Sequence, residues 1–327
     1  MNIIQIMEKF PSEIDTIKYF ESYRWKKERT CPHCDTIHAG NRNKDFRFKC
    51  TNCKKSFSVT TKTYLHNTRL PLKKWLLMFS IVCDAKKGLS AMQLQRNLDI
   101  SYPTSFNCYH KIRELMTLEN QEVELGGILE QDETFVGGKP RKMANPDCLQ
   151  PKEREELDEA IEGYNKEGFD FETKNKRYVA CDKDIKRGRG SQKKTAVVGL
   201  VQRDGQVVAE VMKQLGYKNL KKLVEKHVEN VDDSLVITDE YKGYSQFNKI
   251  IEHIQIEHNE MYSYKGVNTN TIESFWAFIK RQIMGQHHHV TPKKLPLYVA
   301  ETVFKFNNRK NDDMFETLVK LSMNNKN

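Results

Sequence analysis

Residues 128–139 read ILEQDETFVGGK. An apolar lead-in delivers Asp132 and Glu133 to the end of a strand, and Gly137-Gly138-Lys139 then breaks the segment. Acids at the end of a buried strand are costly unless something there uses the charge. Two later segments repeat the device. SLVITDEYKGY at 234–244 is a second apolar run, ending on Asp239 and Glu240. NTIESFWAFIKRQIMG at 270–285 has helical periodicity, with Glu273 in its first turn and Gly285 as its expected stop. Between them, KTAVVGLVQRDGQVVAEVM at 194–212 reads as a hairpin turning at Asp204-Gly205. A helix is expected at about 217–229 and a short strand at 253–258.

A strand bearing an acid, a hairpin, a helix, a second acid-bearing strand and a helix with a third acid form the order an RNase H-like fold needs. The matching chemistry is metal-assisted phosphoryl transfer, in which two divalent ions about 4 Å apart hold the attacking and leaving oxygens. Clustered carboxylates raise each other's pKa, and metal binding relieves that cost. Hard oxygen donors suit Mg2+ or Mn2+. Asp132 and Asp239 would lie side by side in the sheet, and Glu273 would close the set from one face. Lys280, nearly two helical turns beyond Glu273, would project from the same side and could hold a phosphate. Blander readings compete. Asp132 could be an exposed strand-end acid, Asp239 could cap the turn EYKGY, and Asn270-x-x-Glu273 has capping-box spacing. A register shift of one or two would bring in Glu130, Glu133 or Glu240 instead.

The first part of the chain has another character. Of the net charge of +10, residues 1–127 carry +8, and between Arg24 and Lys74 there are 14 basic residues against 3 acidic ones. This asymmetry fits a polyanion-binding module as well as a lysine-rich surface. CPHC at 31–34 and CTNC at 50–53 place four thiolates for one ion. Cys31, Cys34, Cys50 and Cys53 are therefore expected to hold a structural Zn2+ in a zinc ribbon, with a redox pair as the lesser alternative. His33 and His38 are left without a ligand role, and Cys83, Cys108, Cys148 and Cys181 lack partner spacing. Residues 86–116 have the dimensions of a helix-turn-helix, with Ser90 and Ser101 as caps and Pro103 in the second helix's first turn. In a major groove, Thr104, Ser105, Asn107 and Lys111 would be the contacts. No apolar run reaches the roughly 20 residues of a membrane helix. The run WLLMFSIVCDA at 75–85 reads as a core helix, and the acidic N-terminus argues against a signal peptide. An intracellular protein is expected, with nucleus and bacterial cytoplasm both open.

DETFVGGK, KRGRGSQKKTAVVGLVQRDG, VITDEYKGY and NTIESFWAFIKRQIMGQHHHV together resemble the insertion-sequence DDE transposases with an N-terminal zinc ribbon, the ISXO-type group to which the Merlin elements are related. The resemblance runs from about Cys31 to Phe315. It implies cleavage of double-stranded DNA at transposon ends and joining of the 3′ ends to a target, by a homo-oligomer on the DNA. It places Asp132, Asp239 and Glu273 as the catalytic acids that bind Mg2+ or Mn2+, and Lys280 as the basic residue after them. His288 matches a frequent histidine near the site. The basic stretch with Arg187, Arg189 and Lys193, and Arg281 on the last helix, are expected DNA contacts. The charged stretch at about 140–185 looks longer than the family has there.

The expected architecture is thus multidomain α+β. A helix and zinc ribbon occupy 1–70, and a helix-turn-helix region 71–122. An RNase H-like α/β domain with a mixed sheet occupies 123–327. The alternative is a domesticated, catalytically inactive transposase-derived DNA-binding protein.

Overall fold

Ser12 and Asp15 exchange hydrogen bonds at the start of α2 (Glu13–Arg24), and Asn2 and Gln5 do the same for α1 (Ile3–Lys9), so both N-terminal helices open on capping boxes. The computed structural model describes residues 1–327 except 27, 38–39, 41, 44, 138–193, 257–267, 312 and 326–327. The chain forms two compact units, one of residues 1–134 with 196–327 and the other of 135–195. Every described helix and strand belongs to the first unit, save the strand ends at 135–136 and 195 that reach past its limits.

The alternation in the ribbon segment yields two short antiparallel strands, β1 (Phe48–Lys49) and β2 (Ser56–Phe57), with Phe48 opposite Phe57. Three helices follow: α3 (Leu72–Asp84), α4 (Ala91–Leu98) and α5 (Tyr102–Asn120). The Ser90 and Ser101 hydroxyls accept from the Gln93 and Thr104 amides and start α4 and α5. The apolar run at 75–85 is α3, with Trp75, Leu76, Met78 and Phe79 fully buried. Among the described residues no helix is long and apolar enough to cross a membrane.

The acid-bearing segments meet in a five-stranded mixed sheet of order β5-β4-β3-β6-β7. Its strands are β3 (Ile128–Val136), β4 (Thr195–Gln202), β5 (Val207–Met212), β6 (Leu235–Thr238) and β7 (Glu252–Gln255). β4 and β5 are the antiparallel hairpin, turning through Asp204 at φ 56°, whereas β6 runs parallel to both β3 and β7. One face packs on α6 (Tyr217–His227) through Leu220, Leu223 and Val224. The other carries α7 (Asn270–Gln282), seated so closely over β4 that a Cβ on Gly199 would lie 2.7 Å from the Trp276 ring and 2.9 Å from Ile272. Gly199→Ala should therefore cost about 1–3 kcal/mol by overpacking, read as a lowered melting temperature.

The α-helical form of α7 ends at Gln282, and the backbone runs on as a π-helical turn over Ile283–His287. Gly285, the expected stop, lies inside that turn. Termination falls instead to His288, whose φ of 56° reverses the chain. Helices α8 (Leu295–Asn307) and α9 (Met314–Ser322) close the fold. α8 packs on α5 and β5, and α9 joins the helical core of α1 to α5 through Phe315, Leu318 and Val319.

At the α5–α8 contact, fully buried Glu301 accepts hydrogen bonds from Tyr109 Oη (2.6 Å), Arg113 Nε (2.8 Å) and Lys305 Nζ (2.7 Å). Burial pushes this carboxyl up, but Lys305 and Arg113 more than offset it and hold it well below the usual carboxylate range. Its contribution to stability is thus present above the unfolded carboxylate pKa and lost as pH falls toward the lower folded value. Glu301→Leu leaves two cations buried without their countercharge, and should cost about 3–5 kcal/mol in a denaturant melt at pH 7.

Candidate active site and zinc centre

The parallel register of β3 and β6 sets Gln131 opposite Thr238, so the next step along both chains brings Asp132 beside Asp239. Oxygens of Asp132, Asp239 and Glu133 all lie within 4.8 Å of one another. Each acid is held by the scaffold. Asp132 Oδ2 accepts from Trp276 Nε1 of α7 at 2.9 Å. Asp239 Oδ1 accepts the Tyr241 amide at 3.0 Å, so this acid does brace the turn EYKGY while standing in the cluster. Glu133 Oε2 accepts from the buried Tyr244 hydroxyl at 3.1 Å. Burial raises the pKa of Asp132; hydrogen bonds from the Glu133 amide and Trp276 oppose this, and the charges of Asp239 and Glu273 add to the rise. An all-oxygen donor set where the pairing of β3 and β6 ends, destabilised by its own charge, fits a hard divalent cation.

Glu273 stands on the first turn of α7, exposed, close enough for its charge to act on Asp132 but outside the tight cluster. The capping-box reading of Asn270 and Glu273 fails on geometry. Helix α7 begins with Asn270, its N-cap is Thr269, and the Thr271 and Ile272 amides are capped by Glu130 reaching across from β3. Glu273 Oε1 accepts only a long bond from Thr269 Oγ1, at 3.4 Å, among those described. Glu130 is therefore committed to the helix end, and Glu240 is exposed beyond the strand. Glu133 is the residue that sequence reasoning underrates. Patterning offers it only as a register alternative, because strict alternation sends it to the opposite face from Asp132, yet both carboxylates reach one cluster in the middle of β3, just past its pairing with β6.

Lys280 and Arg281 are exposed on the last turn of α7, with Arg281 Nε bonded to the Ala277 carbonyl at 3.0 Å. The three consecutive histidines diverge. His287 packs on Tyr298, ring centroids 4.6 Å apart, where burial and Arg113 push it down to about 4, while His288 and His289 are exposed. On α5, Asn107 is exposed and Thr104 and Lys111 are half-buried. Ser105 is withdrawn from any groove: it is fully buried and donates to the Ala91 carbonyl at 2.6 Å, locking α5 to α4. Arg187, Arg189, Lys193, His38, Cys148, Cys181 and the stretch at about 140–185 lie outside the described residues.

In the ribbon, Cys31 Sγ is 3.7 Å from Cys53 Sγ and Cys34 Sγ is 3.6 Å from Cys50 Sγ, with all four within 4.8 Å of one another. A disulfide would need about 2.05 Å. Zn–S bonds of about 2.3 Å put sulfurs about 3.8 Å apart along the edges of a tetrahedron. The four cysteines fit zinc.

Residues 124–307, more than half the chain, match the ISXO2-like transposase domain. The chain belongs to that family. Residues 11–56 match the transposase zinc-ribbon domain, which takes in all four cysteines. The transposase-domain match begins just before β3 and ends with α8, so it contains Asp132, Asp239 and Glu273. A protein in the transposable element ISH50 of Halobacterium salinarum is 28% identical over 146 residues, 43% of this chain and 48% of that protein. The chain thus matches about half the length of that relative. Among solved structures, a pre-cleavage Mos1 transpososome matches at 11% identity over 76% of this chain and 79% of that one, with a TM-score of 0.25. A Mos1 paired-end complex with the left transposon end gives 11% identity over 77% and 80%, with a TM-score of 0.21. TM-scores this low do not establish a shared fold.

Proposed function

We propose that this transposase-family chain is a DNA transposase, and that Asp132, Asp239 and Glu273 bind the divalent metal with which it cuts and joins DNA at transposon ends. The observation that carries the reading is the convergence of Asp132 and Asp239, with Glu133, where the parallel pairing of β3 and β6 ends, while the charge of Glu273 on α7 acts on Asp132 from outside that cluster. Bound there, Mg2+ or Mn2+ would supply charge neutralisation for in-line phosphoryl transfer. Asp132 and Asp239 present oxygens from the rigid sheet, with Glu133 beside them as a further donor. Lys280 holds a DNA phosphate alongside, and Arg281 and His288 extend that contact. Water is the nucleophile that frees a 3′-hydroxyl at the element end, and that hydroxyl attacks target DNA in a second displacement without a protein–DNA covalent bond. In this reading the domain at 123–327 is RNase H-like, the ribbon in 1–70 holds zinc, and the helix-turn-helix in 71–122 reads the end through Thr104, Asn107 and Lys111. The basic run with Arg187, Arg189 and Lys193 grips the backbone, and a homo-oligomer bridges two ends.

The test is a labelled duplex carrying the sequences that flank the chain's own gene, incubated with purified protein in Mg2+, Mn2+ or EDTA. Cleavage exposing a 3′-hydroxyl in metal and none in EDTA is the expected result, with binding that weakens steeply as salt rises. Tight, salt-sensitive binding with no cleavage in either metal would overturn the proposal in favour of a DNA-binding derivative.

A further inference from the structure

Glu130 has no solvent contact, and a buried carboxylate is tolerated only when its oxygens are saturated with donors. Four donors reach it. Oε2 accepts the Thr271 amide at 2.8 Å and the Ile272 amide at 3.0 Å; Oε1 accepts Thr271 Oγ1 at 3.0 Å and Arg203 Nε at 2.9 Å. Three of these belong to the first turn of α7. The fourth, Arg203, follows β4, and its Nη2 donates to the Asn268 carbonyl at 2.8 Å, just before that helix. A helix N-terminus is normally capped by its own N-cap side chain, yet Thr269 makes no such bond and an acid from a distant strand caps it instead.

These bonds bear directly on the carboxylate site. Glu130 and Asp132 are two residues apart on β3 and point to the same face of the sheet. Both grip α7: Glu130 at Thr271 and Ile272, Asp132 at Trp276. Glu273 lies between those two rungs. Two attachments along one helix fix both its position along its axis and its rotation. The Glu130 bonds thus anchor the helical turn that carries Glu273.

Resting on the metal reading above, we infer that Glu130 is a positioning residue of the carboxylate site, holding α7 so that Glu273 faces Asp132. Arg203 is its partner in that role. Neither touches the reacting atoms. Glu130→Gln keeps the volume and one acceptor oxygen but gives up the charge and one of the two oxygens that hold the helix end. Residues standing behind metal ligands in this way typically change metal affinity by about 10–100-fold when replaced.

The experiment is Mn2+ binding to the full-length protein by calorimetry, without DNA, for wild type, Glu130→Gln, Glu273→Gln and the double variant. Amide exchange at Thr271 and Ile272 is followed in metal-free protein. The expected result is an Mn2+ dissociation constant raised about tenfold in Glu130→Gln, faster exchange at the two amides, and no further weakening when Glu130→Gln is added to Glu273→Gln. Non-additivity is the signature that a purely structural role would not produce. Unchanged Mn2+ affinity in folded Glu130→Gln, or effects that simply add, would overturn the inference and leave the metal site standing. Absence of Mn2+ binding by the wild type would overturn both. Should Glu130→Gln fail to fold, Arg203→Leu, at a partly exposed position, gives the same readout, with weakened or unchanged Mn2+ affinity deciding the inference in the same way.

Discussion

Asp239→Asn should abolish metal-dependent strand cleavage, by at least about 10³-fold, while DNA binding in EDTA stays as in the wild type. The magnitude follows from losing a charged metal donor worth several kcal/mol in the transition state, at about 1.4 kcal/mol per tenfold in rate. The fold should survive. The substituted amide retains an oxygen for the Tyr241 amide, so the bond that braces the turn after β6 persists. Removing one of three crowded charges also relieves Asp132 and Glu133 of repulsion in the metal-free protein. The metal-free melting temperature is therefore expected to hold or rise, and a fall would mean that Asp239 is chiefly structural. Gel-resolved cleavage in Mn2+, run beside Glu133→Gln, separates the two acids. If Asp239→Asn still cuts while Glu133→Gln does not, the metal is held by Glu133 with Asp132, and the assignment of Asp239 is wrong.

The acid-bearing strands and the ribbon are legible in the sequence for different reasons. Asp239 ends the apolar run of β6, and a run that stops on an acid advertises both the strand and its terminus, whereas β3 runs on through Asp132 to Val136. The CxxC pairs need only local spacing. What the sequence hides depends on contacts between distant segments. Nothing in GGILEQDET says that Glu130 will cap a helix that starts 140 residues later, so Glu273 keeps a capping-box rival that only the Thr271 and Ile272 amides exclude. Ser105 shows the same limit in the opposite direction. Its position on α5 is groove-facing by spacing, but helical spacing cannot say that its hydroxyl will find the Ala91 carbonyl. The stop of α7 lies past Gly285 because glycine permits a left-handed turn without compelling one, and the left-handed residue is His288.

Removing the zinc, by chelation or by Cys50→Ser, is expected to have the largest effect on stability, and to confine it to the N-terminal region. The ribbon's own core consists of Cys31, Phe48, Cys50 and Phe57, with Trp25, Cys34 and Cys53 packed against it. Four of these seven side chains are the expected metal ligands, so loss of the ion removes the organising contact of the cluster itself. Modules of this size rarely fold on apolar burial alone, and structural zinc typically contributes about 10–16 kcal/mol of apparent binding free energy in such peptides. The adjoining helices have independent support. Arg24 of α2 donates to the Thr61 carbonyl at 2.6 Å beyond the ribbon, and Ile17 and Phe20 pack in the helical core with α3 and α9. Unfolding should therefore stop near α2. Loss of the Trp25 environment should appear as a shift of its fluorescence while far-UV helicity changes little. Mn2+ affinity at the carboxylates should be unchanged, since no ribbon residue stands in that cluster, whereas binding to transposon-end DNA should fall sharply. A ribbon that keeps its fluorescence and its DNA affinity after complete loss of zinc would show that the aromatic pair Phe48 and Phe57, not the four thiolates, holds it together.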